Sequence, residues 1–178
     1  TMSGVVPQIA AMVGPGAAGT AYIPGLADFV PMVKGTSSMA LGGPALVKAA
    51  VGEDISEEEL GGSRVHNRES GVADMECKTD SDCLDAVRKY LSFFPSSCHD
   101  KPAPVADAPG RGLIEDAILD LLPDNPQASY DMRKLLEMIV DYGDLFEIKK
   151  QYAKSMATTF ARIGGRSVGI GANNPRYL

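Results

Sequence analysis

The stretch that most constrains the fold is a run of small residues at positions 13–24, VGPGAAGTAYIP. The apolar segment before it, residues 8–13, is predicted to form a short buried strand. A helix is predicted to open at Gly19 or Thr20, with Pro24 in its first turn, where a missing N–H costs little. A strand that enters a helix through small residues leaves backbone N–H groups facing a cleft. Such a turn can hold an anion, or an oxygen that becomes negative during a reaction.

A tight turn without function is the alternative, since Gly and Ala clusters also occur where elements pack closely. The run matches neither a P-loop, which needs a following Gly-Lys-Ser/Thr, nor the spacing G-x-G-x-x-G. Local chemistry therefore leaves both interpretations open.

Size and charge exclude some classes of partner. A chain of 178 residues can form one full core or two small ones. The net charge of −6, without any cluster of Lys and Arg, argues against a nucleic-acid partner. No apolar run approaches the ~20 residues of a membrane span, and no signal-peptide pattern is present. We expect a cytoplasmic protein, or one of the mitochondrial matrix if the source is eukaryotic.

Cysteine and histidine usage gives no sign of a metal site. Cys77, Cys83 and Cys98 are odd in number and lack C-x-x-C spacing, which fits ordinary thiols in a reducing compartment. His66 and His99 are the two histidines, too few for a His-rich metal centre. No bound metal is expected.

The order of elements predicts an α/β layered fold. The predicted elements are strands at 29–33, 38–41 and 72–75, helices at 45–51 and 81–94, and a capping box at Ser56–Glu59. The helix at 81–94 is predicted to bury one face, formed by Leu84, Val87, Leu91 and Phe94.

A Pro- and Gly-rich linker is predicted at 96–112, and a second region starts near Leu113. Asp131 is predicted to cap a helix whose apolar stripe is Met132, Leu135, Leu136, Ile139 and Val140. A further helix is predicted at 146–154. The predicted hairpin joins strands 156–163 and 166–172 through Gly164-Gly165.

Motifs along nearly the whole chain resemble the carboxyltransferase subunits of biotin-dependent acyl-CoA carboxylases, closest to the β-type subunits of propionyl-CoA carboxylases. In the first part they are residues 14–24, 32–37, 43–44, 47–49, 52–53, 59–62, His66, 70–73 and 91–93. In the second part they are Pro126, residues 130–133, 146–147, 152–153, 160–163, Gly165, 168–170 and 172–175.

The resemblance implies a crotonase-like fold of repeated β-β-α units in two halves, in a protein about three times as long as this chain. Residues 1–95 would be the later part of the N-terminal half, 96–112 a linker, and 113–178 the start of the C-terminal half. We therefore expect the chain to be an excerpt.

The resemblance also implies that the glycine-rich turn is an oxyanion hole for the acyl-CoA thioester. The implied donors are the backbone amides of Ala18 and Gly19, or of Gly19 and Thr20 if the register shifts by one. The family usually has two glycines here, so Ala18 departs from the pattern and is expected to preserve the donor if its φ is negative. Substrate-binding candidates around these donors are Gly16, Ala17, Tyr22 and Lys34.

In the family, carboxybiotin on a separate carrier releases its carboxyl group near the thioester, biotin takes the α-proton, and the enolate attacks the carbon dioxide. The resemblance thus implies biotin as cofactor, with biotin carboxylase and a biotin carrier as partners. It also implies a homo-oligomer, commonly a hexamer. The second oxyanion hole, which holds biotin, is expected beyond Leu178, so this chain alone should not complete the reaction.

Three other functions remain open. The first is that of a subunit of a sodium-pumping acyl-CoA decarboxylase, because related subunits work in those enzymes. The sequence does not separate carboxylation from decarboxylation. A non-catalytic acyl-CoA-binding or assembly fragment is the second. A crotonase-type hydratase is the third, disfavoured because the turn carries no carboxylate to activate water.

Several side chains have both a structural and a functional interpretation. His66 either lies in a polar surface run or hydrogen-bonds at the pocket. Lys34, Lys48, Arg64 and Arg68 are either solvated or meet the phosphates of coenzyme A. Spacing does not select among them.

Overall fold

The computed structural model describes residues 2–106, 115–125 and 127–177. The chain divides into two compact units, Thr1–Leu91 and Ser92–Leu178. Residues 107–114 and 126 lie outside the described part. The predicted boundary at 112, the start of the second region at Leu113 and the motif residue Pro126 lie there. The predicted boundary at 95 lies among the described residues, four residues after the division at Leu91, and stays a prediction.

Unit 1 contains two separate pairs of parallel strands. The strands are β1 (Pro15–Ala17), β2 (Pro31–Val33), β3 (Ser38–Ala40) and β4 (Met75–Cys77). β1 pairs with β3, and β2 pairs with β4. The strands predicted at 29–33 and 38–41 are confirmed, whereas the one predicted at 72–75 begins only at Met75.

The segment at 8–13 is extended but half-buried, not buried as predicted. It makes two isolated parallel bridges, Ile9 with Phe29 and Met12 with Met32. Its bonds, such as Met12 N to Pro31 O at 2.9 Å, all reach residues 28–33.

Helix starts and stops in unit 1 follow local sequence signals. The helices are α1 (Tyr22–Gly25), α2 (Pro44–Val51), α3 (Glu57–Gly61), α4 (Ser63–Arg68) and α5 (Asp80–Leu91). α2 ends at Gly52, whose φ of 75° only glycine adopts readily. The predicted capping box of α3 is confirmed: Glu59 N donates to Ser56 Oγ at 3.3 Å, and Ser56 N donates to Glu59 Oε2 at 3.1 Å. α4 was not predicted, because its polar sequence has no apolar stripe.

The predicted buried face of α5 is wrong. Leu84 and Leu91 are 47% and 44% exposed, whereas Cys83, Ala86 and Tyr90 are buried. Tyr90 stacks on Phe29, with ring centroids 4.4 Å apart. The face that carries this ring and the small residues Cys83 and Ala86 packs inward, and the larger leucines face outward.

The core beside the glycine-rich turn is a cluster of buried residues. It contains Val30, Met32, Met39 and Ala73, with Met12, Ala21 and Ala27 packed against it. Met12 lies before the turn and Ala21 after it, so this cluster holds the chain on both sides of the turn.

Unit 2 contains an antiparallel sheet in the order β5, β6, β7. These strands are β5 (Phe146–Ile148), β6 (Met156–Ile163) and β7 (Arg166–Asn173). The predicted hairpin is confirmed, with φ of 58° at Gly164 and 74° at Gly165 as a two-residue hairpin turn requires. The helix predicted at 146–154 is wrong, because Phe146, Glu147 and Ile148 pair with β6.

Two helices precede this sheet, α6 (Glu115–Leu121) and α7 (Met132–Ile139). α6 was not predicted. α7 is capped as predicted, with Arg133 N donating to Asp131 Oδ1 at 3.1 Å. Leu136 and Val140 are buried, whereas Ile139 is 37% exposed and lies at the margin of the predicted stripe.

Buried polar side chains fix the hairpin of unit 2. The carboxylate of Asp141 accepts from Gly164 N at 2.9 Å and Gly165 N at 2.7 Å. Arg162, 6% exposed, donates to Asp144 Oδ1 at 3.1 Å and lies 4.5 Å from the centroid of the Phe93 ring. Charged groups at this depth need partners of this kind.

The buried thiol of Cys77 predicts that stability falls in alkali. Burial, reinforced by the nearby Cys83, raises the pKa of Cys77 from 9.0 to about 12. Above pH 9 the unfolded thiol ionises while the folded one stays neutral, so stability is lost as pH rises towards 12. We expect the free energy of unfolding to fall by up to ~1.4 kcal/mol per pH unit from this thiol, measured by urea unfolding between pH 8 and 10.5.

Cys77→Ala should flatten that dependence, whereas Cys98→Ser, at an exposed thiol, should leave it unchanged. Equal slopes in the wild type and Cys77→Ala would contradict this account.

Candidate functional site

The glycine-rich turn joins β1 to two short helical segments. Ala17 ends the strand in an extended conformation, with φ −128° and ψ 156°. A 3₁₀ helix at Ala18–Ala21 follows at once and leads into α1. Gly16 faces the core, where an added Cβ would lie 2.9 Å from Met12 Cε. The small residues therefore allow the chain to turn close to its own core.

Ala18 adopts a left-handed conformation, with φ 54°. The condition stated for an unchanged donor at Ala18, a negative φ, is therefore not met. This conformation costs an L-residue ~1–2 kcal/mol, because Cβ crowds the following carbonyl oxygen. Glycine avoids that cost, which gives a physical reason for a glycine at this position.

The peptide N–H groups of the turn differ in their surroundings. The register pairs Ala17 with Ala40, the last residue of β3, so the N–H of Ala18 lies at the end of the strand pair. The 3₁₀ pattern joins Tyr22 N to Gly19 O, and the same i to i−3 spacing directs the N–H of Thr20 towards Ala17 O. Thr20 Oγ1 also donates to Ala17 O, at 2.7 Å. Gly19 lies between Ala18, at the end of the strand pair, and Thr20, whose N–H is directed towards Ala17 O. Gly19 is an exposed residue.

One depression adjoins the turn, and a second adjoins the first. A small cleft of about 40 Å³ is lined by residues of β1, including Gly16 and Ala17, of β3, of α3 and of the start of α2. An open groove of about 460 Å³ is lined mainly by apolar residues of β3 and α2, with His66 at its edge. Ala40 and Leu60 line both, so the cleft and the groove are neighbours.

His66 makes two hydrogen bonds at this edge. Its Nε2 lies 2.8 Å from Met39 O, and its Nδ1 lies 2.9 Å from Ser70 Oγ. A carbonyl oxygen only accepts, so Nε2 carries the proton. His66 is therefore engaged with β3 and is not a free surface side chain.

Comparison with known proteins identifies the family of the chain. The model of the carboxyl transferase domain matches residues 1–178. The chain belongs to the carboxyl transferase domain family.

Similar proteins have related activities. The chain is 44% identical to the propionyl-CoA carboxylase beta chain of Roseobacter denitrificans, over 99% of this chain and 34% of that protein. It is 43% identical to the methylmalonyl-CoA decarboxylase subunit alpha of Veillonella parvula, over 99% and 35%. The chain therefore spans about a third of the length of these relatives.

A solved structure confirms the fold. The transcarboxylase 12S hexamer, solved with methylmalonyl-coenzyme A and methylmalonic acid bound, superimposes with a TM-score of 0.91 at 39% identity. The match covers 98% of this chain and 34% of that one. The α/β, crotonase-like fold of a carboxyltransferase is thus confirmed.

In this carboxyl transferase domain the predicted site residues fall into two places. One group follows the chain from β1 to the start of α1: Gly16, Ala17, Ala18, Gly19, Thr20 and Tyr22. Lys34 lies in another turn, after β2, and across the described ranges no hydrogen bond or ion pair links its side chain to Ala18 or Gly19. Its predicted role stays a prediction.

The other cationic candidates differ in their partners. Lys48 pairs with Asp54 at 2.7 Å, with both side chains mostly exposed. Arg64 and Arg68 are exposed on α4. Their predicted contact with phosphate also stays a prediction.

Within residues 2–106, 115–125 and 127–177, no three His, Cys, Asp or Glu side chains form a group that could hold a metal ion. No helix among these residues is both long and apolar enough to span a bilayer.

Met39 is the residue that sequence analysis missed. It is 4% exposed, faces Gly16 in the β1–β3 pair, and gives its carbonyl to His66. Its place inside the strand predicted at 38–41 is the only signal for it. The sequence gave no sign of its contact with His66, 27 residues later.

The strain at Ala18 predicts that Ala18→Gly stabilises the protein. Relief of ~1–2 kcal/mol exceeds the ~0.5–1 kcal/mol entropic cost of a glycine, so we expect a gain of about 0.5–1 kcal/mol in the free energy of unfolding. Urea unfolding at constant m-value measures it.

Ala17→Gly is the matched control, at a neighbouring exposed alanine with negative φ. It should cost about 0.5–1 kcal/mol, since no strain is relieved. Destabilisation by both changes would mean that Ala18 is not strained.

Proposed function

We propose that this chain belongs to a carboxyltransferase that moves a carboxyl group between carboxybiotin and an acyl-CoA such as propionyl-CoA. The observation that carries the proposal is the position of Gly19, an exposed residue that follows the left-handed Ala18 at the end of a parallel strand. The 44% identity to a propionyl-CoA carboxylase beta chain supports the choice of reaction.

The reaction needs hydrogen-bond donors at the one oxygen on which negative charge develops. Loss of the α-proton makes an acyl-CoA an enolate, and negative charge grows on the thioester oxygen. Peptide N–H groups fixed in advance stabilise that charge without reorganisation, and removal of one such donor typically costs ~10²–10³-fold in kcat. The turn needs no side-chain acid or base for this task.

Two donor pairs are possible, Ala18 with Gly19 or Gly19 with Thr20, and both include the N–H of Gly19. Its partner is the N–H of Ala18 in one register and that of Thr20 in the other. The 3₁₀ spacing, which directs the N–H of Thr20 towards Ala17 O, favours Ala18 with Gly19. We therefore assign the oxyanion hole to these two amides.

The surroundings of the turn suit an acyl-CoA. The groove has the size and apolar lining common in ligand sites. Gly16 and Ala17 line the adjoining cleft, and Tyr22 lies exposed just beyond the donors. Lys34 completes the substrate-binding set as the residue assigned to the phosphates of coenzyme A.

The remaining assignments concern the protein of which these residues are part. When bound, carboxybiotin on a separate carrier supplies the carboxyl group. None of the described residues is assigned to biotin. We propose biotin carboxylase and a biotin carrier as partners, a hexameric assembly, and a cytoplasmic or mitochondrial-matrix location. Nucleic acid is not among the proposed partners.

A second candidate is decarboxylation of a related acyl-CoA. The 43% identity to a methylmalonyl-CoA decarboxylase subunit alpha favours it. The same donor turn would serve, because the reverse reaction passes through the same enolate.

The test is carboxyl transfer by the native protein that carries these residues. We expect transfer of labelled carboxyl from carboxybiotin to propionyl-CoA, and a loss of ~10²–10³-fold in kcat in Gly19→Pro, which removes the N–H. Gly19→Ala keeps the N–H and meets no atom within 4 Å of its Cβ, so it should stay within a few-fold of the wild type.

The outcomes separate the alternatives. Acyl-CoA binding without carboxyl transfer would favour a binding or assembly role and contradict the proposal. Decarboxylation of methylmalonyl-CoA without carboxylation of propionyl-CoA would favour the second candidate. Equal kcat in Gly19→Pro and Gly19→Ala would mean that this turn does not form the oxyanion hole.

A further inference from the structure

His66 lies outside the donor turn but holds the strand behind it. Its Nε2–H donates to Met39 O at 2.8 Å, and Met39 is the central residue of β3. The ring is fixed from its other side by Ser70, whose Oγ lies 2.9 Å from Nδ1. Ser70 Oγ in turn accepts from Val72 N at 3.3 Å. The imidazole therefore has one orientation in which both nitrogens are satisfied.

Met39 connects this imidazole to the turn in two ways. Its backbone pairs with Gly16 of β1, and Gly16 lies two residues before Ala18. Its side chain belongs to the core cluster that packs against Met12 and Ala21, on the two sides of the turn. A shift of Met39 would therefore move both the strand that enters the turn and the core beneath it.

β3 is short, so each contact along it matters. It has three residues, with β1 on one edge. On the other edge it meets Gly62, between α3 and α4, through the Ser38–Gly62 bridge, and His66 of α4 through the bond to Met39 O. Gly61 lies close enough that an added Cβ would collide with Met39 O. The carbonyl of Met39 thus points into a crowded space, where His66 gives it a donor.

We propose that His66 is a positioning residue for the oxyanion hole and that it acts through Met39 and β3. This inference rests on the proposed function, because that function gives the turn its catalytic role. Without the His66 donor, the Met39 carbonyl loses its bond, β3 shifts, and the Gly19 amide moves off the thioester oxygen. Misplacement by ~1 Å at a reacting centre can cost ~10²-fold in rate.

The test compares three variants of the native protein in carboxyl transfer to propionyl-CoA. His66→Leu removes the donor, and we expect kcat to fall ~10- to 100-fold with KM for propionyl-CoA within about twofold, because an oxyanion donor acts chiefly in the transition state. His66→Gln can place an amide N–H where Nε2 lies, and it should restore most of kcat. Ser70→Ala keeps the bond to Met39 and should lower kcat only a few-fold.

Thermal unfolding of each variant separates positioning from a merely structural role. If His66→Leu and His66→Gln lose stability equally while kcat per folded molecule stays at the wild-type value, the inference is wrong. If the wild type transfers carboxyl groups and His66→Leu keeps its kcat, the inference is wrong and the proposed function stands. If the wild type transfers none, the proposed function fails and the inference fails with it.

Discussion

The turn after β1 depends on a single unfavourable backbone conformation, the left-handed φ of Ala18. The ~1–2 kcal/mol that it costs must be offset by contacts on either side. The β1–β3 pair fixes the chain before Ala18, and the cluster around Met39 fixes it before and after. Strain held in this way is typical of functional sites, where the surrounding structure determines a conformation that the residue alone would avoid.

The same contacts give unit 1 a connected path from its surface to the turn. His66 on α4 binds the carbonyl of Met39, Met39 faces Gly16, and Gly16 leads into the turn at Ala18. The first step is a hydrogen bond, the second is a strand pair of three residues, and the third is the chain itself. A site built on such short elements relies on side-chain anchors for its precision.

Much of the fold could be predicted because its signals are local. The capping box at Ser56, the stop at Gly52 and the Gly164-Gly165 hairpin each depend on neighbouring residues, and all three are confirmed. The errors come from non-local packing. The inward face of α5 was misassigned because Tyr90 stacks on Phe29, and Phe146 joined a sheet because β6 was there to pair with it. For the site, resemblance predicted the turn, but the φ of Ala18 and the contact between His66 and Met39 depend on the folded chain.

The central claim is that the amides of Ala18 and Gly19 receive the acyl-CoA thioester oxygen. A crystal structure of the native protein with a non-reactive acyl-CoA analogue tests it most directly. The account predicts the carbonyl oxygen of the analogue within ~2.7–3.1 Å of Gly19 N, with Ala18 N as the second donor. An analogue bound with that oxygen on other donors, and no contact with Gly19 N, would contradict the account.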